Sequence, residues 1–257
     1  MFRVSNSSIR AALLVLCAAL ANPAPAGAGS DPGERVLRPY SAVYKTIAQG
    51  MELTLTRRLQ ESDNGNYTLT NGGKILVVGF HEVSVFRVED GHVVPRSYVY
   101  RGSGLINRRR EVHFTPGSPT IRSLYKEKWY ELPYREGTLD RMSQMEEVRL
   151  ELLHRASPER DISVRVADGR KVKEYLLKYV GEETLETPLG PLQTLHFSRE
   201  HEDPGRKSDM WMAPSLDYLM VKTVHVEDGS PVEMILTSAS LAATPGADTL
   251  AGKGAVD

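Results

Sequence analysis

The chain has 257 residues, 25% of them charged, and a formal net charge of −1. A charge this close to neutral argues against a nucleic-acid-binding protein, which normally carries a strong basic excess. The only cysteine, Cys17, lies in an N-terminal segment that we interpret below as a removed signal peptide. Neither a disulfide nor thiol chemistry is therefore expected in the mature protein.

The first 28 residues follow the order of a cleaved secretion signal. Arg3 and Arg10 give a basic start, and residues 11–20 form an apolar run that small residues follow. The run is shorter than the roughly 20 residues that a membrane-spanning helix needs. Small-x-small patterns place the candidate cleavage points at Ala21, Ala26 and Ala28. We expect export to the periplasm of a Gram-negative bacterium, with no transmembrane segment after cleavage.

The composition divides the chain into four segments. Residues 1–28 are interpreted as the signal peptide, and residues 29–39 as an N-terminal linker. Residues 40–238 contain no Pro/Gly/Ser-rich break and are predicted to form a single β-rich domain. Residues 239–257 are rich in small side chains and have no periodic apolar face, which is typical of a disordered tail.

Alternating apolar and polar residues predict many strands with one solvent-facing side. The alternation is clear in residues 51–55, 83–88 and 162–166. Pairs that accept the positive φ of tight hairpins separate such segments. These pairs are Asn64-Gly65, Asp90-Gly91, Asp168-Gly169 and Asp228-Gly229. Successive hairpins predict an antiparallel meander, and so many strands favour a sheet curled into a barrel or half-barrel.

One segment, about 139–155, has the spacing of an amphipathic helix instead. Its apolar positions are Leu139, Met142, Met145, Val148, Leu152 and Leu153. Thr138 or Asp140 is suited to cap the start of this helix. The same spacing places Glu146 and Arg149 mostly outside the apolar stripe. We therefore predict a mainly β fold in which one helix packs against the concave side of the sheet.

Several short motifs, most of them turns or strand starts, follow one another along the chain. They are Tyr40-x-Ala42-x-Tyr44, the Asp90-Gly91 turn followed by Pro95, Asp140-Arg141-Met142-Ser143, Thr187-Pro188-Leu189-Gly190-Pro191-Leu192-Gln193-Thr194, Trp211-Met212-Ala213-Pro214 and the Asp228-Gly229 hairpin. In this order they resemble a family of exported bacterial proteins known as domain of unknown function 3108. The resemblance covers about Tyr40 to Thr237. It implies a periplasmic β-rich scaffold and brings no catalytic residues with it.

The segment His196–Asp203 is the best local candidate for metal binding. Its possible ligands are His196, Glu200, His201, Glu202 and Asp203. The surrounding residues indicate a strand that runs into a polar loop, so we interpret the acidic run as a solvated turn. We predict no metal site and no cofactor.

Catalysis has few candidates in the sequence. The chain has no Gly-x-Ser-x-Gly motif, so no serine is marked as a nucleophile. A pair of separated carboxylates, as in glycosidases, remains an alternative, and Asp140 is the first acid to inspect. Capping of the helix beside Ser143 is the preferred role for Asp140.

Two further groups could bind a ligand. On an extended strand, Arg108 and Arg110 point to one side and Arg109 to the other, which favours a solvated strand end over contact with lipid phosphates or acidic glycans. Aromatic side chains suit a groove for a lipid or sugar, although they also fill ordinary β cores. The candidate ligand-binding residues are Trp129, Tyr130, Tyr134, Trp211, Tyr218 and Asp140.

These observations favour a non-enzymatic binding or envelope-maintenance protein. It would shelter an amphipathic lipid or glycan, or contact another envelope protein, and it would not bind nucleic acid. One alternative is an envelope hydrolase that uses separated carboxylates or the histidines of His196–Asp203. The other is a structural or assembly partner whose interior is packed solid.

Overall fold

The computed structural model describes residues 37–48, 51–75, 78–104, 108–201, 205–227 and 229–243. These residues form fifteen strands, one α-helix and one short 3-10 helix. The strands are β1 (Tyr40–Ala48), β2 (Met51–Glu61), β3 (Tyr67–Ile75), β4 (Val78–Glu89), β5 (His92–Ser103), β6 (Arg109–Phe114), β7 (Thr120–Tyr125), β8 (Lys128–Pro133), β9 (Thr138–Leu139), β10 (Ile162–Asp168), β11 (Lys171–Thr187), β12 (Gly190–Glu200), β13 (Arg206–Ala213), β14 (Leu219–Glu227) and β15 (Ser230–Leu241). The helices are α1 (Ser143–His154) and the 3-10 helix Pro214–Leu216.

All fifteen strands belong to one sheet. Their order is β8-β7-β6-β5-β4-β3-β2-β1-β15-β14-β13-β12-β11-β10-β9. Neighbours in the sheet are neighbours in the chain, except that β15 returns to pair with β1 in the middle. The pairing is antiparallel throughout, apart from the short β9, which runs parallel to β10. The predicted mainly β meander with one helix is therefore confirmed.

The sheet curls so that its two ends approach each other, but it does not close. Among the described residues, no backbone pairing joins the edge strands β8 and β9. Side chains bridge the gap instead. The Ser123 hydroxyl on β7 donates to the carbonyl of Gly169, at 2.7 Å, and Arg110 Nη1 on β6 lies 3.7 Å from Asp168 Oδ1. The barrel-like shape thus depends on a seam of side-chain contacts.

Tight turns join most strands, and two of the predicted ones form as expected. Asp90 and Gly91, both with positive φ, connect β4 to β5, and Gly229 (φ +76°) lies between β14 and β15. Its partner Asp228 lies outside the described residues. The paired positive φ values suit the right-handed twist of adjoining strands.

The other turns differ in detail from the prediction. Asp168 pairs with Lys171, so the turn positions after β10 are Gly169-Arg170, one residue later than expected. Asn64-Gly65 lies within a five-residue loop rather than a two-residue turn. Lys126 and Glu127 form a tight turn with positive φ that the sequence pattern did not reveal.

Helix α1 begins later than the spacing predicts. Leu139 belongs to β9, and the helix starts at Ser143 rather than at 139. The Asp140 carboxylate accepts the backbone N–H groups of Met142 (2.8 Å) and Ser143 (3.0 Å), so it satisfies donors that the first helical turn leaves open. This interaction fixes a turn between strand and helix. The residue at the N-cap itself is Met142, so Asp140 holds the start of the helix from two positions before it.

The helix is also more completely buried than an amphipathic helix on a sheet surface. The buried positions include Val148, Leu150 and Leu152, as expected for a core-facing stripe. They also include Glu146 and Arg149, which the spacing had placed outside the stripe. That prediction was wrong because the curled sheet surrounds the helix, so its polar side also meets protein.

The interior has two halves along the strand direction. At the helix end, the Glu147 carboxylate of α1 contacts His92 Nδ1 (2.8 Å) and the backbone N–H of Val93 (2.7 Å) beside the Asp90-Gly91 turn. Fully buried apolar side chains such as Leu69 and Phe86 pack in this half. The opposite end carries the turns 126–127 and 169–170, and we call it the recess end.

The segments that flank the predicted domain take part in the structure. Leu37 is fully buried, and Arg38 forms an ion pair with Asp217. Strand β15 continues to Leu241, and Ala242 donates its N–H to the carbonyl of Pro39, at 2.9 Å. The predicted signal peptide and residues 244–257 of the predicted tail lie outside the described residues. No helix in the described part of the chain is long and apolar enough to span a bilayer.

Candidate functional site

A row of polar side chains crosses the inner face of five neighbouring strands. Residues opposite each other in paired strands share one face of a sheet. The register pairs the row in this order: Arg57, Asn71, Glu82, Tyr100 and Arg110. The row follows the boundary between the packed helix end and the recess end.

The helix neutralises the first member of this row. Arg57 donates from Nε to the Tyr40 hydroxyl (3.0 Å), and its Nη2 lies 3.4 Å from Glu146 Oε1 on α1. Tyr40 donates to the same carboxylate oxygen, at 2.8 Å. Arg149 Nη1 lies 2.5 Å from the other oxygen, Glu146 Oε2. The buried carboxylate therefore has three partners, and Arg57 carries no free charge into the recess end.

The acidic member of the row is held by neutral partners. Glu82 accepts a hydrogen bond from the Tyr98 hydroxyl (2.7 Å) and another from the side-chain amide of Asn71 (3.0 Å). Burial, together with the neighbouring Glu82 charge, raises the pKa of Tyr98, so the phenol remains a donor. Glu82 thus has both oxygens engaged.

A cavity of about 160 Å³ opens beside this row. Its lining consists of Glu82, Tyr98, Tyr100, Arg108, Arg110 and Arg141. We call these residues the arginine recess. A second cavity of about 520 Å³ adjoins it, because Arg108 and Arg110 line both, and Tyr125 and Lys126 line the second. The two cavities together form a cationic opening at the recess end.

Positive charge exceeds negative charge in the arginine recess. Arg110 and Arg141 share one carboxylate, because their Nη1 atoms lie 3.7 Å and 3.5 Å from the same Asp168 oxygen. No ion pair is found for Arg108 among the described residues. Burial acts to lower the pKa of Arg141, but Asp168 and other nearby acidic groups raise it above its ordinary value. The side chain of Arg141 is still 44% exposed, so it is a permanent cation that solvent reaches.

The Arg108–Arg110 segment therefore differs from the preferred interpretation of a solvated strand end. Arg109 pairs with Glu111, and only Arg108 and Arg110 line the recess, although all three arginines line the second cavity. However, Arg110 is half-buried, and its guanidinium lies 5.2 Å from the ring centre of Tyr125. The sequence alone could not show that Arg141, 31 positions later, would join the same cavity.

Two of the aromatic candidates lie on β8 and face opposite sides. Trp129 is exposed on the outer face, where Arg122 lies 4.6 Å from its ring centre and His113 packs against it at 5.8 Å. Tyr130 points inward, opposite Ser123, and packs against the core. The two rings therefore do not form one groove.

Tyr134 lines a different cavity, of about 650 Å³, at the helix end. Its lining includes the acidic side chains Glu89, Asp90 and Glu136 and the apolar Val93. This opening has the opposite charge to the arginine recess.

The remaining candidates serve the sheet itself. Trp211 on β13 stacks on the His196 ring, with 4.4 Å between ring centres, and donates its indole N–H to Glu183. Tyr218 has φ +55° and donates its N–H to the Ala213 carbonyl (2.9 Å) at the turn into β14. Asp140 is fully buried, and burial raises its pKa despite the hydrogen bonds it accepts.

Only part of the predicted cluster around His196 lies within the described residues. His196 Nε2 lies 3.0 Å from Asp209 Oδ1, and its Nδ1 lies 3.4 Å from Glu183. Burial opposes ionisation of Asp209, but the hydrogen bonds from His196, Lys207 and Ser198 together outweigh it and lower the pKa of Asp209. Glu202 and Asp203 lie outside the described residues. Within the described ranges, no group of three or more His, Cys, Asp or Glu side chains is arranged to hold a metal ion.

Comparison with solved structures identifies the fold. The crystal structure of a beta-barrel-like protein of domain of unknown function DUF1849 from Brucella abortus matches with a TM-score of 0.56 and 11% sequence identity, covering 82% of this chain and 100% of that chain. A putative lipoprotein from Parabacteroides distasonis ATCC 8503 matches with a TM-score of 0.32 and 7% identity, covering 79% of this chain and 96% of that chain. At this identity the first match shows a barrel-like fold and nothing about activity.

Comparison with families of sequences identifies the relationship. No curated protein matches the chain significantly. A family model matches residues 44–237, which is most of the chain and includes α1 and the arginine recess. The protein therefore belongs to the family described as Protein of unknown function (DUF3108).

Proposed function

We propose that this protein is a non-enzymatic binding protein of the Gram-negative periplasm, and that its arginine recess holds the anionic group of an amphipathic envelope lipid or glycan. The observation that carries the proposal is the charge of the recess. Three arginines, Arg108, Arg110 and Arg141, line one cavity, and they outnumber the two carboxylates beside them, Glu82 in the lining and Asp168, which Arg110 and Arg141 share. Guanidinium groups bind phosphate and carboxylate groups through paired hydrogen bonds.

Apolar surface adjoins this charge. The Phe80 and Tyr100 rings stack with 6.2 Å between their centres, and Tyr100 also lines the recess. Phe80 lies two positions before Glu82 on β4, so it faces the same interior. An amphipathic molecule could place its anionic group against Arg110 and Arg141 while its apolar part contacts these rings.

The buried carboxylates support binding over glycosidase-like chemistry. Asp140 accepts two backbone N–H groups and the Ser84 hydroxyl (2.7 Å), and Glu146 is enclosed by Tyr40 and Arg149. Both are fully buried, so neither is placed to meet a substrate. A hydrolase would need such acids in an open cleft.

The experiment compares two single-chain phospholipids with the same acyl chain, one with an anionic headgroup and one with a zwitterionic headgroup. Binding of lysophosphatidylglycerol and of lysophosphatidylcholine is measured by native mass spectrometry and calorimetry. We expect the anionic lipid to bind more tightly, and Arg110→Gln or Arg141→Gln to weaken it by about tenfold each, as the loss of one charge-assisted hydrogen bond implies. Arg58→Gln, an exposed arginine on β2, is the matched control.

Equal binding of the two lipids, or equal effects of Arg110→Gln and Arg58→Gln, would contradict the proposal. The location is tested separately by fractionating cells and sequencing the N-terminus of the protein. We expect it in the periplasmic fraction, with cleavage after Ala21, Ala26 or Ala28.

A further inference from the structure

A second cationic group lies on strands β12 to β14 and on the residue that follows β12. It consists of Arg199, His201, Ser208 and His225, which we call the arginine–histidine cluster. Arg199 and Ser208 are opposite each other in the β12–β13 pair, and Ser208 and His225 are opposite in the β13–β14 pair. Arg199 follows the buried, inward-facing Phe197 by two positions, so this row also lies on the inner face.

The four side chains are joined by hydrogen bonds around the Ser208 hydroxyl. This oxygen lies 2.9 Å from His201 Nε2 and 2.8 Å from His225 Nδ1. Arg199 Nη2 lies 3.2 Å from the same His201 nitrogen. An arginine can only donate, so in this arrangement His201 Nε2 is an acceptor and the imidazole is neutral.

The charge of Arg199 is poorly compensated. Its guanidinium lies over the Tyr175 ring, 4.4 Å from the ring centre, and its buried Nε atom has no hydrogen-bond partner. Burial lowers the pKa of Arg199, and the nearby Arg141 lowers it further. A half-buried cation with no acidic partner in the described part of the chain is costly, and a bound anion would reduce that cost.

Among the described residues, the groups that act on the charge of His201 all disfavour its protonation. Burial lowers the pKa of His201, and Arg199 on β12, His225 on β14, Arg206 on β13 and Lys173 on β11 lower it further. Such a setting repels a metal ion and attracts an anion. His201, Ser208 and His225 are each half-buried, so a small solute reaches them from solvent.

We propose that the arginine–histidine cluster is a second anion subsite, for a phosphate or sulfate group, and that binding there is coupled to uptake of a proton. The anion accepts hydrogen bonds from Arg199 and Ser208. His201 gains a proton on Nε2 and turns from acceptor to donor, which adds a third contact. This inference does not depend on which molecule the arginine recess holds.

The sign of the pH dependence follows from the charges. A bound anion favours the imidazolium and raises the pKa of His201, so affinity increases as the pH falls and is lost as the pH rises through the anion-bound pKa. Sulfate keeps its charge over the pH range in which histidine titrates, whereas phosphate itself changes charge in that range. Sulfate is therefore the probe for proton coupling.

The experiment titrates the full chain with sodium sulfate and follows the histidine ring signals by NMR. We expect the signals of His201 and His225 to shift, with affinity about tenfold higher at about pH 6 than at about pH 8. Arg199→Gln should abolish the shifts, and His201→Asn should leave weaker binding without pH dependence. Arg110→Gln should leave the shifts unchanged, which separates this subsite from the arginine recess.

Two further titrations, one with inorganic phosphate and one with glycerol 3-phosphate, distinguish the source of the ligand. Binding of inorganic phosphate alone assigns the subsite to free oxyanions, and binding of glycerol 3-phosphate as well assigns it to a phosphate ester. If neither salt nor ester shifts the two histidine signals of the unmodified protein, the proposal is wrong. This result needs no variant, so it stands even if Arg199→Gln fails to fold.

Discussion

Glu146 and Arg149 form a buried ion pair on α1. Replacing either residue alone should lower the free energy of unfolding strongly, whereas replacing both should lower it much less. Glu146 is 0% exposed and Arg149 is 2% exposed. Removing one partner leaves a buried charge, which costs about 3–5 kcal/mol in measured cases. Arg149→Met should fall at about 3 kcal/mol, because Glu146 keeps Tyr40 and Arg57 as partners.

Glu146→Leu should lie at the upper limit, about 5 kcal/mol. It leaves Arg149 with only the carbonyl of Asp217 (3.1 Å) and the Tyr40 ring, 4.8 Å away, and Arg149 Nη2 already lacks a partner. The double variant removes both charges and restores much of the loss. We expect its cost to be about 2 kcal/mol, far below the sum of the single costs.

Urea denaturation measures each free energy of unfolding, with an unchanged slope as the test that the transition remains comparable. Arg155→Met is the control, because it breaks the partly exposed pair with Glu151 on the same helix and should cost less than about 1 kcal/mol. The reasoning fails if Glu146→Leu and Arg149→Met cost no more than this control, or if the double variant costs the sum of the two.

Other predictions concern single positions in the fold. Asp140→Ala should cost about 2 kcal/mol through loss of the hydrogen bonds from the Met142 and Ser143 N–H groups, and Asp140→Asn less than about 1 kcal/mol, as thermal denaturation will show. Because the pKa of Asp140 is raised in the folded protein, wild-type stability should fall as pH rises above the ordinary carboxyl value of about 4, and Asp140→Asn should flatten that decline. Gly73→Ala should destabilise by about 1–3 kcal/mol, because its Cβ would lie 2.5 Å from Leu55 Cδ2 and 2.9 Å from the Thr54 carbonyl; no measurable loss in thermal denaturation would contradict the packing argument.

The strand pattern was predictable because the residues that indicate each strand lie within that strand and its adjoining turn. Alternation in 83–88 and the Asp90-Gly91 pair are local, and the hairpin they indicate needs no distant partner. Register was less predictable: Asp168 is turn-forming in sequence, yet it pairs with Lys171 and turns its carboxylate toward Arg110 and Arg141. The position of Asp168 depends on its contacts across the seam, which the local sequence does not show.

The interior polar groups were not predictable from local pattern. Glu146 and Arg149 have the spacing of surface residues, and only enclosure by the curled sheet buries them. The arginine recess likewise combines β6 with the start of the helical segment, which are far apart in sequence. Aromatic composition pointed instead to Trp129 and Trp211, which the fold places on outer faces with separate partners.

The seam gives this barrel-like sheet a property that a continuous ring of strands lacks. Its circumference is completed by one serine hydroxyl and one aspartate rather than by a ladder of peptide groups. Widening the sheet at this gap would therefore replace a few side-chain contacts with contacts to water, and it would leave every strand pair intact. Because Asp168 also lies near Arg110 and Arg141, one carboxylate belongs both to the seam and to the charge balance of the arginine recess.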